Sequence, residues 1–299
     1  MALGALTAPA SKTEALARAR QRAALVPDLL VDAKRLAATT ISGWHGRRRK
    51  GIGENFWQFR PYVEGEAVSR IDWRRSARDD NTYIRDREWE AAHTIWLWAD
   101  PSPSMLFKSK GAQVSKESRA VVIMLALAEL LSRSGERIAW PGVAAPFSSR
   151  NGAEKLSLRL VDSDAVSRPD LSSVKRFSEI VYASDFLDAP EEIIQTLQPV
   201  ADRGARGHLV EICDPLEEIF PYSGRQEFLD PETGERLNVG RAENFGEDYR
   251  TLFLARREEL RSWAARFGWS YTVNRTDRHA SECLAKLQLF LSEDRGLAA

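Results

Sequence analysis

The residues of this chain best suited to chemistry stand where short apolar runs end. Asp100-Pro101-Ser102-Pro103-Ser104 presents one carboxylate and two hydroxyls at alternate positions, directly after the run HTIWLWAD (His93 to Asp100). Such oxygens suit a hard cation: Mg²⁺ prefers an octahedron of oxygens, keeps several waters and can leave a position for an external carboxylate, and Mn²⁺ can substitute for it. Two more apolar runs close on aspartate, EIVYASD at Asp185 and GHLVEICD at Asp214. Each of these acids equally suits capping a turn or helix, where Asp accepts backbone N–H groups. The D-x-S-x-S spacing is short enough to arise by composition, so its force comes from its place after a strand.

Other chemistries find less footing. His45, His93, His208 and His279 are scattered, with no HExxH and no Cys partner at ligand spacing, so none reads as a zinc ligand. Ser102 and Ser104 lack the G-x-S-x-G elbow of a nucleophilic serine. Asp100 with Asp185 keeps a metal-dependent phosphoesterase as the alternative reading, although catalytic metal sites usually carry more carboxylate or imidazole ligands than this. The basic run Arg47 to Lys50 beside Gly51 and Gly53 has no Walker pattern and reads as a solvated linker or loop, without nucleic-acid binding.

The elements that must position these residues follow from the grammar after residue 92. HTIWLWAD, RIAWPGV (Arg137 to Val143), EIVYASD, GHLVEICD and WSYTVN (Trp269 to Asn274) are candidate buried strands. Between and after them helical patterns run at about 118–134, 189–203, 247–267 and 280–292. This alternation predicts an α/β fold: a mostly parallel central sheet with helices on both faces, joined by right-handed crossovers, Rossmann-like in type. In such a sheet the carboxyl ends of the strands open onto the ligand crevice, which brings Asp100, Asp185 and Asp214 to one rim. A hairpin is expected near 227–240, around Pro231-Glu232-Thr233-Gly234. Ahead of this domain (93–299) lie a helical segment with its basic linker (1–50), expected as two helical pieces broken at Val26-Pro27, and a β-rich segment (51–92) in which FWQFRPYV and NTYIRDREWE flank a turn and short helix.

Composition bounds the rest. With 299 residues, 43% hydrophobic and 29% charged, the chain can bury a large core. Lys+Arg and Asp+Glu both number 43, so the summed field favours neither nucleic acid nor an anionic membrane. Cys213 and Cys283 are far apart and read as packed free thiols in a reducing compartment. The longest apolar run, Ala120 to Leu131, contains Glu129 and falls short of the roughly 20 residues of a membrane span, so it reads as a buried helix with no membrane insertion. The N-terminus lacks the pattern of a secretory signal, and a cytoplasmic protein is expected.

Two resemblances add to this. D-x-S-x-S after the first strand of the sheet resembles the metal-ion-dependent adhesion site of von Willebrand factor A domains. There the two serines, here Ser102 and Ser104, ligate Mg²⁺ beside Asp100, and a second aspartate, here Asp185, acts through water. The family's loop threonine has no counterpart, because no Thr occurs between Thr94 and Thr196; Ser148, Ser149 and Ser163 are the candidates for its place. More specifically, Arg60-Pro61-Tyr62-Val63-Glu64-Gly65-Glu66, Arg70-Ile71-Asp72-Trp73 and Ala77-Arg78 are similar to the signature of the bacterial domain of unknown function 58 family, with Glu66 where Asp is usual. Asp214-Pro215-Leu216-Glu217, Phe220-Pro221 and Gly224 resemble a later stretch of the same family. The resemblance implies a non-enzymatic interaction module that acts with a MoxR-type AAA+ ATPase and its client in assembly or maturation. Arg60, Arg70, Asp72, Trp73 and Arg78 then form either a partner-binding surface or an internal network in which Asp72 pairs with an arginine and Trp73 packs on the sheet.

Overall fold

In a computed structural model, residues 12–40, 50–64, 66–78, 81–88, 93–163 and 168–293 are described. The run Arg47 to Arg49, His45, Gly65 and the end of the NTYIRDREWE segment lie outside them. The chain divides into two units, residues 45–92 and the remainder.

The N-terminal run forms one helix, α1 (Lys12–Thr40), with Pro27 inside it, and not the two pieces expected. A proline deletes one helical hydrogen bond and bends a helix; it need not end one that still has a face to bury. Here Val26, Ala33, Leu36 and Ala37 are that buried face. In the 45–92 unit, β1 (Lys50–Pro61) pairs antiparallel with β2 (Tyr83–Glu88), and between them comes the four-residue helix α2 (Trp73–Ser76). Gly51-Ile52-Gly53 does not interrupt structure, as the sequence suggested. It lies in β1 where the register shifts between Lys50 and Asn55, an irregularity that glycine tolerates at little steric cost.

The larger unit is α/β. Its elements are β3 (Thr94–Ala99), α3 (Lys116–Arg133), β4 (Arg137–Trp140), β5 (Ala144–Phe147), α4 (Gly152–Val161), β6 (Glu179–Ser184), α5 (Pro190–Asp202), β7 (Arg206–Cys213), α6 (Pro215–Ile219), the hairpin β8 (Gln226–Leu229) and β9 (Arg236–Val239), α7 (Gly246–Arg266), β10 (Ser270–Arg275) and α8 (Ala280–Glu293). Six strands make the central sheet in the order β10-β7-β6-β3-β4-β5, parallel except for β5. β6 is buried at every residue, which requires cover on both faces of the sheet. One group of helices, α1, α3, α4 and α8, packs together; α5 and α7 pack on each other and against β7 and β10. The run Ala120 to Leu131 is the centre of α3, buried almost all round as an apolar helix must be. Among the described residues no helix is long and apolar enough to cross a membrane.

Three elements escaped the sequence reading: β5, which folds RIAWPGV back on itself at Trp140 to Val143, and the helices α4 and α6. The chain steps from β3 out to β4 and β5, then returns to the other side of β3 as β6 and continues to β7 and β10. The direction of winding therefore reverses between β3 and β6, and the loops leaving these neighbouring strands part to form the crevice of such sheets. Asp100 and Asp185 follow these two strands.

Candidate functional site

The ladder sets the first acid. Ala99 pairs with Ala183, and the Asp100 N–H donates to the Ala183 carbonyl at 2.8 Å, which carries the sheet one residue into the loop. The Asp100 carboxylate then takes Ser102 N–H on Oδ1 (2.8 Å) and the Ser184 hydroxyl on Oδ2 (2.6 Å). Pro101 and Pro103 supply no N–H, so Ser102 and Ser104 carry the donors of this segment, and Pro103 starts a 3-10 turn, Pro103–Leu106. Ser102 Oγ and Ser104 Oγ lie 3.1 Å apart. Adjacent oxygens on an octahedral Mg²⁺ with bonds of 2.0–2.1 Å stand ~2.9 Å apart, so the hydroxyl pair fits one edge of that octahedron.

Asp185 meets this group from β6. Phe186, the next residue, adopts a left-handed φ of 51°, and its N–H donates to Ser184 Oγ while Leu187 N–H donates to Asp185 Oδ1 at 3.2 Å. A bulky residue held at positive φ beside a cluster of acids is backbone strain of the kind that gathers at functional sites. Asp185 Oδ2 accepts from Lys116 Nζ at 2.8 Å, and the same ammonium bonds Glu217 Oε1. Lys116 is wholly buried in the first turn of α3, where a cation opposes the helix dipole. The two carboxylates are what hold it there.

Asp214 is a cap, as the alternative for these acids allowed. Its Oδ1 accepts Leu216 N–H, and Glu217 Oε2 accepts the Asp214 N–H, a reciprocal capping box on α6. The D-P-L-E motif thus has a local physical meaning: the box fixes Glu217 so that its other oxygen reaches Lys116.

The electrostatics are acid-rich. Burial, with Asp185 adding to it, pushes the Asp100 carboxyl up to about 7 against the hydrogen bonds from Ser184 and Ser102. Burial raises Asp185 too, but the Lys116 ammonium outweighs it and holds that carboxyl below the usual range. Glu232, from the turn between β8 and β9, completes the group: its Oε1 accepts Ser104 N–H at 2.9 Å, and burial beside Asp185 and Asp188 raises its carboxyl. Asp100, Ser102, Ser104 and Asp185 are each at most 9% exposed.

All four residues expected at the cation site therefore come together, and four others join them that spacing alone did not point to: Lys116, Ser184, Glu217 and Glu232. A charged residue at the start of a helix and an acid in a P-E-T-G turn carry no signal until the topology places them. The candidates for the threonine's place do not join. Ser148 Oγ donates to the Gly135 carbonyl at the opposite end of the sheet, Ser149 adjoins it in sequence, and Ser163 Oγ donates within its own turn to Leu160. No three Asp, Glu, His or Cys side chains among the described residues are arranged to hold a metal, so a cation at this rim rests on Asp100 and the two hydroxyls. Those residues are of the oxygen-donor type that a hard cation takes, while Asp185 Oδ2 is engaged by Lys116.

In the 45–92 unit the signature residues do local work. The Arg60 guanidinium forks onto Glu66 at 2.8 and 2.5 Å, and Glu66 Oε2 also accepts Val63 N–H, which closes the turn. The Asp72 carboxylate caps α2 by accepting Arg75 N–H at 3.0 Å, and no ion pair with an arginine side chain joins it among the described residues. Trp73 is 64% exposed: it opens a helix of only four residues, none of them buried. Arg78 is exposed as well, and Arg75 lies over the Tyr83 ring at 4.8 Å. The Arg70 side chain lies outside the described residues.

Comparison with known proteins bears on this frame. Uncharacterised proteins Rv1480 of Mycobacterium tuberculosis and Mb1516 of Mycobacterium bovis are 26% identical over 301 residues, spanning 91% of this chain and 90% of theirs. Among solved structures, the conserved hypothetical protein BatB from Bacteroides thetaiotaomicron aligns with a TM-score of 0.41 and 13% identity over 68% of this chain and 99% of that one. An aerotolerance-related membrane protein from Bacteroides fragilis aligns at 0.41 and 12%, over 67% and 99%. At these scores neither likeness bears on function. The model of the family described as "Protein of unknown function DUF58" matches residues 58–259, a span that holds both the Arg60 to Arg78 signature and the rim, and the chain belongs to that family.

Proposed function

We propose that this chain is a non-enzymatic protein-interaction module of the cytoplasm, whose larger unit is a von Willebrand factor A-like domain with an adhesion-type cation site. It acts with a MoxR-type AAA+ ATPase and that enzyme's client in protein assembly or maturation. The observation that carries this reading is the pair of serine hydroxyls 3.1 Å apart beside the Asp100 carboxylate, at the reversal point of the sheet. Asp100, Ser102 and Ser104 hold Mg²⁺, or Mn²⁺ in its place, and Asp185 supports them through water. A Mg²⁺ ion with few protein ligands keeps open positions, which suits it to bridge to a carboxylate of a partner. The exposed Trp73 and Arg78 on the smaller unit offer a second, aromatic and cationic surface of the kind enriched at protein interfaces.

The phosphoesterase alternative has less support. Lys116 takes an oxygen of Asp185 and Glu232 is held by the Ser104 N–H, which leaves Asp100 and two neutral hydroxyls for the ion, and no histidine among the described residues hydrogen-bonds to these groups.

The test is isothermal titration of Mg²⁺ and Mn²⁺ into chelator-treated protein, in parallel with Asp100→Ala. Saturable binding that the variant loses while keeping its circular dichroism spectrum is expected. Absence of binding in the wild type would remove the cation from the reading and move the search for the partner surface to Trp73 and Arg78.

A further inference from the structure

The four site residues are buried, and one group hydrogen-bonded to them, the carboxylate of the exposed Glu232, comes from an element on the surface. The β8–β9 hairpin is largely exposed, with Leu237 63% exposed and an exposed Arg236–Glu227 pair across its strands. Its tip is nevertheless built to hold one side chain in place. Asp230 Oδ1 accepts Glu232 N–H, Thr233 Oγ1 donates to Asp230 Oδ2, and Gly234, at a φ of 77°, returns its N–H to the Asp230 carbonyl. The product is a rigid turn that delivers the Glu232 carboxylate to Ser104 N–H across 128 residues of sequence. At its base the hairpin is held by the buried Val239, opposite Gln226, and nearer the tip Phe228 packs against Phe220 and Tyr222.

We propose that Glu232 is a resident carboxylate of the rim, set where a partner's acidic side chain docks, so that the β8–β9 tip must leave Ser104 before a partner can enter. This rests on the reading of the rim as a carboxylate-receiving site. The contact is suited to exchange: a single charge-assisted hydrogen bond from an exposed turn, made among acids that repel it, on strands held separately by Val239 and Phe228. An incoming carboxylate takes over the Ser104 N–H from Glu232 and gains the open position of the cation, so the exchange costs little, and in its absence the tip shields the rim from unrelated anions and small acids.

Glutarate, a soluble stand-in for an acidic side chain, provides the test. Its binding is measured by calorimetry in Mg²⁺ to the full-length wild type, Glu232→Ala, Glu232→Gln and Asp100→Ala. Removal of a competing charge-assisted hydrogen bond should tighten glutarate binding about tenfold in Glu232→Ala. Glu232→Gln, which keeps an acceptor for Ser104 but loses the charge, should fall between it and the wild type, and Asp100→Ala should bind none. Equal affinities for wild type and Glu232→Ala, both abolished by Asp100→Ala, would overturn the resident carboxylate and leave the rim reading standing. No glutarate binding by any protein that still takes up Mg²⁺ would overturn the resident carboxylate together with the carboxylate-receiving site.

Discussion

Replacing Lys116 by Met removes one ammonium that serves two carboxylates. Methionine matches the length and apolar volume of the lysine stem, so packing is kept and the electrostatic loss is isolated. The Lys116 side chain is 0% exposed, Asp185 5% and Glu217 13%, so water cannot take over the role of the lost partner. Breaking a buried pair in this way costs roughly 3–5 kcal/mol, because a charge is left without compensation. Domains of ordinary size carry about 5–15 kcal/mol of stability, so the variant folds, with a melting temperature lower by roughly 10 °C. Tryptophan fluorescence during urea unfolding reads the change through the nine tryptophans. Adding Asp185→Asn to the variant should restore at least half of the loss, since the stranded charge disappears with it. The variant should also bind Mg²⁺ more tightly than wild type, because a fixed positive charge beside the ion has been removed. A loss below about 1 kcal/mol would refute the reasoning, since that is what a solvated surface pair costs.

Three further outcomes follow from the frame around the site. Arg257 grips the buried Glu211 with Nε and Nη2, both at 2.8 Å, and Glu218 with Nη1; Arg257→Met should lower stability by roughly 3–5 kcal/mol, and the double variant with Glu211→Leu should recover most of it in thermal melts. Gly207 faces the Trp269 ring, where an added Cβ would meet ring carbons at 2.0 Å; Gly207→Ala should therefore cost at least about 2 kcal/mol by forcing the indole off its seat, whereas an unchanged urea midpoint would show the ring free to move. Burial pushes the Cys283 thiol up to about 12 from its ordinary 9, against the pull of Lys286 and Arg119. The folded state thus favours the neutral thiol: its contribution is complete below pH 9 and is lost as pH rises towards about 12, at up to ~1.4 kcal/mol per pH unit. Cys283→Ala should flatten the fall in stability between pH 9 and 11, and an identical slope in both proteins would sink this account.

How much of the rim could be read in advance follows from how far apart its parts lie in sequence. Asp100, Ser102 and Ser104 are neighbours, and their alternation after an apolar strand is a local pattern. Asp185 was reachable because strand alternation implies a parallel sheet, and a parallel sheet gathers its carboxyl ends. Lys116 to Asp185 spans 69 residues, Lys116 to Glu217 101 and Ser104 to Glu232 128, and no periodicity encodes which loops meet over such distances. The same limit explains the missed β5, whose four residues include Pro146, and α4, whose apolar stripe is confined to Ala153, Leu156 and a few neighbours. Trp73 is a different case: of its two readings, a partner-binding surface and packing within an internal network, the second finds no support, because a four-residue helix with no buried residue has no core to offer. On the proposed role of Trp73 in a partner surface, Trp73→Ala should leave the urea midpoint unchanged while weakening capture of a MoxR-type ATPase; a lowered midpoint with capture intact would return Trp73 to a structural role.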